Sequence, residues 1–218
     1  MARRAVFPQI DSIQQFRQCL LASLSKFGDS YTQKTAWDEV KELMTDHITN
    51  TDRMNLFLYT ISEQNEHMKS SQKKEHIKLY GLAGEIFEDS LLPFIPKILN
   101  YLQKKLKEGD QHMHVPVSDS LGILVHHVLK KVPTMDDCVE NLSSILRLVF
   151  QNLQSPNKTL QVGSGMCLTR IIQNAPVAAL SAVLEKICAK VLELLSSHGC
   201  KCQTQLLESL ISLVTSVS

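Results

Sequence analysis

Short polar breaks recur along the chain at 31–34, 68–74, 111–114, 155–158 and 198–201. Between them run apolar stripes at three- and four-residue spacing, over 13–24, 36–44, 54–61, 77–87, 91–106, 117–129, 139–153, 160–172, 177–195 and 206–214. Such a stripe is one face of an α-helix, so the pattern predicts about ten helices paired into about five hairpins. Successive breaks lie about 40 to 44 residues apart, which is the period of HEAT or armadillo units. The expected fold is therefore all-α, an α-solenoid forming one array over 1–218, with repeats near 10–47, 49–90, 91–131, 134–174 and 176–218.

The punctuation agrees with this reading. Gly28-Asp29, Gly109-Asp110, Ser155-Pro156-Asn157 and His198-Gly199 mark breaks inside the pairs. Thr49 and Thr134, each followed three residues on by an aspartate, look like helix starts between pairs, and Pro176 suits a first helical position. A low aromatic share of 6% within 44% hydrophobic residues favours helices over sheets, where aromatic and β-branched residues concentrate.

A formal net charge of +1 gives no broad positive field, so nucleic acid is not an expected partner. No apolar run approaches the roughly 18 residues of a membrane span, and the opening residues lack the core of a secretory signal. Cys19, Cys138, Cys167 and Cys188 fall within apolar stripes and read as small buried hydrophobes, which suits a reduced, cytosolic chain.

Four groups could be mistaken for chemistry. His198-x-Cys200-x-Cys202 is tighter than usual zinc-ligand spacing and has no second ligand pair nearby in sequence. His126 and His127 are adjacent, so on a helix they point about 100° apart. Gly163-Ser164-Gly165 has neither the pattern nor the preceding strand of a nucleophile elbow, and its small residues suit close helix packing. Asp38, Glu39 and Glu42 beside Lys34 and Lys41 have the spacing of ordinary surface pairs. The expectation is a protein without an enzymatic site, metal or cofactor.

Several segments carry a resemblance. Lys73 to Ala83 (KKEHIKLYGLA), Leu91 to Ile95 continuing through Lys104 to Lys107, Asn157-Lys158 with Gln161 to Ile172 (QVGSGMCLTRII), and Ala175-Pro176-Val177-Ala178 appear in the same order as in the plant Tortifolia/Spiral family of microtubule-associated proteins. The chain resembles that family from about Leu20 to Val214. The resemblance implies a TOG-like array of HEAT units, the N-terminal part of a longer protein, whose turns contact tubulin or microtubules. By position it nominates Tyr31 and Gln33 in the first turn, Lys69, Lys73 and Lys74 in the second, and His112 and His114 in the third. Lys158 and Lys201 stand in the fourth and fifth.

Lysines on such an edge would complement a strongly acidic partner and speed encounter. The chain departs from tubulin-holding TOG domains in two places: its one tryptophan, Trp37, lies in an apolar stripe, and His114 stands where an arginine is usual. The family also implies a cytoplasmic, cytoskeletal setting, with the centrosome or cilium as specific sites. The alternative function is an adaptor that binds a peptide or helix of another cytoskeletal or ciliary protein on the array's concave face.

Overall fold

The computed structural model describes Phe7 and residues 10–64, 68–108 and 110–217. Among these residues the chain is all-α, with no strand. The helices are α1 (Ile13–Ser25), α2 (Gln33–Glu42), α3 (Thr51–Gln64), α4 (Ser70–Phe87), α5 (Ile95–Lys107), α6 (His114–Lys130), α7 (Met135–Leu153), α8 (Lys158–Asn174), α9 (Val177–Leu195) and α10 (Gln203–Val217). The chain forms two compact units, 1–76 and 77–218, with the division inside α4.

Local chemistry explains where the helices begin. Ser12 and Gln15 form a reciprocal capping box at the start of α1, satisfying backbone donors that the first turn leaves open. The Thr134 hydroxyl accepts the Asp137 N–H and opens α7, at the position expected from sequence. The α3 start is shifted: Asn50, rather than Thr49, accepts the Arg53 N–H at 2.9 Å. Pro176 likewise stands just outside α9, as its cap residue.

One expected helix is divided. The apolar stripe 91–106 reads as continuous, yet Glu88–Phe94 is a 3-10 segment and α5 begins only at Ile95. Pro93 and Pro96 are the physical reason. Proline offers no N–H to a helix interior, so Pro93 stays in the 3-10 segment, and regular α-helix starts at Ile95, where Pro96 falls in the opening turn and its missing N–H costs nothing. Glu88, the first residue after α4, has φ of 49°, a left-handed conformation, and Lys131 reaches its carboxylate at 3.5 Å.

In the first unit α1 packs against α2 and α3 around Phe16, Leu20, Leu24, Val40, Phe57 and Ile61, all fully buried. Glu39 corrects the surface reading given to it. It is buried between α1 and α2, where the Ser23 hydroxyl donates to it at 2.7 Å and Lys26 forms an ion pair with it. Lys34, Asp38 and Lys41 are the exposed charged members of that stretch.

In the second unit the helices fall into two rows. The contacts run α5–α7–α9 in one and α6–α8–α10 in the other, with each hairpin joining the rows. That is the stacking of an α-solenoid, in which each hairpin buries its apolar face against its neighbours. Close approach depends on glycine. A Cβ on Gly84 would lie 2.8 Å from the Leu124 Cα, and one on Gly163 would lie 2.6 Å from the Leu106 Cδ2. The Gly163-Ser164-Gly165 run is buried within α8 and lets its neighbours pack closely.

Candidate turn edge

Each turn can be built from the residues that fix it. In the first unit, Lys26–Gly28 forms a 3-10 turn and the Asp29 carboxylate accepts the Tyr31 N–H at 2.9 Å. Thr32 closes the same turn, its hydroxyl donating to the Lys26 carbonyl at 2.8 Å. The backbone is thereby held while the Tyr31 side chain stands 93% exposed, the most exposed large hydrophobic residue among those described. Gln33 is the first residue of α2 and is half-buried.

The second turn meets the first at close range. A Cβ on Gly28 would fall 2.4 Å from the Gln72 Nε2, so α4 begins directly beside the first turn. Lys69 lies just before α4 and is exposed, its N–H donating to the Gln72 side chain at 3.2 Å. Lys73 and Lys74 belong to the first turn of α4 rather than to the loop, and both are half-buried. Trp37 donates its indole N–H to Glu75 at 2.9 Å and packs edge-on against Phe27, so it faces the interior of this unit.

In the second unit the third turn is capped by Asp110, whose carboxylate accepts the His112 N–H at 2.9 Å. His112 is exposed, whereas His114 is buried and places its ring near Gly163 of α8. Burial pushes the His114 imidazole down from its usual pKa, partly offset by the charge of Asp110. The nomination of His114 as a partner-facing residue is therefore corrected. α6 starts at this residue, and its side chain points into the hairpin packing.

The fourth and fifth turns are joined by one side chain. Gln161, buried in α8, donates to the Ser155 carbonyl at 2.6 Å and to the Gly199 carbonyl at 3.2 Å. It also accepts the Lys201 N–H at 2.7 Å. Asn157 caps α8 by accepting the Leu160 N–H at 3.0 Å, which leaves Lys158 exposed as the first helical residue. Lys201 is exposed one repeat further on. Reading along the sequence missed Gln161. The signal was a polar residue one repeat period before the next turn, and the same period pairs Thr169 with Ser209 and Gln173 with Ser212.

Among the nominated residues, Tyr31, Lys69, His112, Lys158 and Lys201 are exposed, and their side chains make no hydrogen bond or ion pair among the described residues. Cys202 is buried and Cys200 half-buried beside it, while His198 is exposed. No group of three His, Cys, Asp or Glu side chains among the described residues could hold a metal ion. No helix among them is long and apolar enough to cross a membrane.

The chain is similar to plant proteins over most of its length. It is 25% identical to TORTIFOLIA1-like protein 1 of Arabidopsis thaliana over 84% of this chain and 22% of that protein. It is 23% identical to the microtubule-associated protein TORTIFOLIA1 of the same plant, over 91% of this chain and 23% of that protein. The chain thus spans about a quarter of the length of the curated relatives it matches. A crystal structure of an engineered protein aligns over 95% of both chains with a TM-score of 0.42 and 14% identity, too distant to add to the fold described above. The family described as TORTIFOLIA1 N-terminal matches residues 14–218, and the chain belongs to it.

Proposed function

We propose that this chain binds microtubules through its hairpin turns, contacting tubulin with Tyr31 and Lys69 in the first unit and with His112, Lys158 and Lys201 in the second. Lys73, Lys74 and Gln33 flank the contacts of the first unit. The observation that carries this reading is that the side chains of Tyr31, Lys69, His112, Lys158 and Lys201 make no hydrogen bond or ion pair among the described residues, while side chains of Asp29, Gln72, Asp110, Asn157 and Gln161 fix the backbone of their turns. A turn whose backbone is already fixed adds little loop-ordering cost on binding, and the remaining entropy cost is that of the side chains themselves. The kinship with a protein named as microtubule-associated supports the same reading.

The chemistry fits an acidic polymer surface. Each exposed lysine contributes about 1 kcal/mol or less, so affinity comes from several turns acting together. Tyr31 adds a rigid aromatic anchor of the type that dominates protein interfaces. The module acts by recognition, without chemistry of its own, in the cytoplasm and on the cytoskeleton. The test is co-sedimentation with stabilised microtubules at two salt concentrations. Pelleting that weakens as salt rises supports the proposal, because screening removes long-range attraction between exposed charges. A chain that stays in the supernatant at low salt overturns it.

A further inference from the structure

Along the helix bodies of the second unit, a separate surface carries a different combination of groups. α7 and α9 leave an open groove of about 240 Å³ between them. Its walls are Leu146 and Phe150 on one side and Val183 and Ile187 on the other. Leu146, Val183 and Ile187 are buried at its base and Phe150 is half-buried. The rim is cationic, from Arg147 on α7 and from Lys186 and Lys190 on α9. Lys190 is paired with Glu193 at 2.7 Å. Arg147 and Lys186 are exposed and make no ion pair among the described residues.

A second groove of about 350 Å³ runs alongside, between α5 and α7, with Leu92, Ile95 and Leu99 facing Ile145 and Leu148. Arg147 borders both grooves and stands on the crest between them. Two apolar slots thus flank one unpaired guanidinium. The narrower slot is below the roughly 300 Å³ of a small-molecule pocket, a size suited to a side chain rather than to a whole ligand.

We infer that this face docks an acidic amphipathic helix from a protein partner, lying across α7 with one apolar side chain in each groove and a carboxylate on Arg147. The spacing follows from helix geometry. Packed helices lie about 8–10 Å apart, and a helix rises about 10 Å over seven residues, so the anchors fall at positions i and i+7. The intervening Asp or Glu falls at i+3 or i+4, on the same helical face. Arginine forms two parallel hydrogen bonds to a carboxylate, which fixes the register. Lys186, across the α7–α9 groove, meets a second acid beyond the anchor. The inference does not depend on the turns, whose contact residues lie elsewhere in the chain.

The experiment is selection of a displayed random 16-residue peptide library on the whole chain, followed by fluorescence anisotropy with the enriched peptides made synthetically. The expected result is enrichment of apolar pairs seven residues apart with an acid between them. Arg147→Glu with Lys186→Glu should weaken their binding at least tenfold. Phe150→Ser should do so independently, while Lys158→Glu with Lys201→Glu leaves binding unchanged. Circular dichroism and gel filtration establish that each variant folds as the wild type does. Recovery of no such motif, or motif peptides indifferent to Arg147→Glu and Lys186→Glu, overturns the inference. A second arm floats the chain with phosphatidylcholine–phosphatidylserine vesicles. Flotation abolished by the same two substitutions, without peptide binding, would assign the face to an anionic lipid surface and equally overturn the inference.

Discussion

Gln161 accepts the Lys201 backbone N–H at 2.7 Å, reaching across one repeat. The same side chain donates to the carbonyls of Ser155 and Gly199, so a single buried amide satisfies three backbone groups in two successive turns. Gln161→Leu keeps a similar size and removes all of these bonds. It should lower stability by about 1–3 kcal/mol, the cost of leaving buried polar groups unsatisfied. Chemical denaturation checks the magnitude. Amide exchange should show the 199–201 turn opening first, and a turn as protected as in the wild type would contradict the bracing role.

Gly84 is a second point where size is limiting. Gly84→Ala places its Cβ 2.8 Å from the Leu124 Cα, a backbone atom that cannot swing aside. α4 and α6 must separate, and about 1–3 kcal/mol of stability is lost through overpacking. At Gly163 the nearest atom is the end of the Leu106 side chain, so Gly163→Ala should cost less. Thermal unfolding of the two variants side by side gives the order.

His76 makes stability depend on pH. It is fully buried against Phe27, and burial pushes its imidazole down to about 4, partly offset by the nearby backbone of Ile61 and Leu24 and by Glu75. The unfolded chain takes up this proton near the ordinary value of 6.5, before the folded chain does. The contribution is therefore intact above pH 6.5 and is lost as pH falls from there towards 4, about 3 kcal/mol in all. His76→Phe should show a shallower loss of stability over that window in urea melts at stepped pH. Parallel curves for the two proteins would count against this account.

Glu39 carries a buried charge that depends on its partners. Glu39→Ala leaves the Ser23 hydroxyl without its acceptor and Lys26 without its ion pair. The expected loss is about 1–3 kcal/mol, because a buried polar group left unpaired bears its desolvation cost alone. Lys26 is partly exposed and recovers water, so the larger share comes from Ser23. Denaturant midpoints of Glu39→Ala and Ser23→Ala, alone and combined, measure the coupling. Simple additivity of the two would argue against a shared interaction.

The helices and their turn period were legible because each hairpin repeats one burial problem at a fixed interval. Thr134 showed its cap directly, since the partner Asp137 lies within one helical turn. What escaped was set by packing between elements distant in sequence. Glu39 has the spacing of a surface residue, but α1 covers it and supplies Ser23 as a partner, and the turn after α1 supplies Lys26. His114 sits in a polar turn by sequence, yet it opens α6 and turns inward against α8. Lys105 likewise lies in a lysine-rich run but is wholly buried, paired with Glu108 at 2.7 Å and set over the Tyr101 ring. Gln161 shows that some of this can be recovered, because its partner Lys201 lies one repeat period away.

Contact through the exposed turn residues can be separated from any other mode of microtubule binding by comparing three proteins. The wild type, the variant Lys69→Glu/Lys158→Glu/Lys201→Glu and the groove variant Arg147→Glu/Lys186→Glu are sedimented with stabilised microtubules at low salt. All three are first checked for folding by circular dichroism. If the turns carry the contact, the wild type and the groove variant pellet alike, while the turn variant loses at least tenfold in affinity. Equal pelleting of the turn variant and the wild type would contradict it and move the microtubule contact away from the turns.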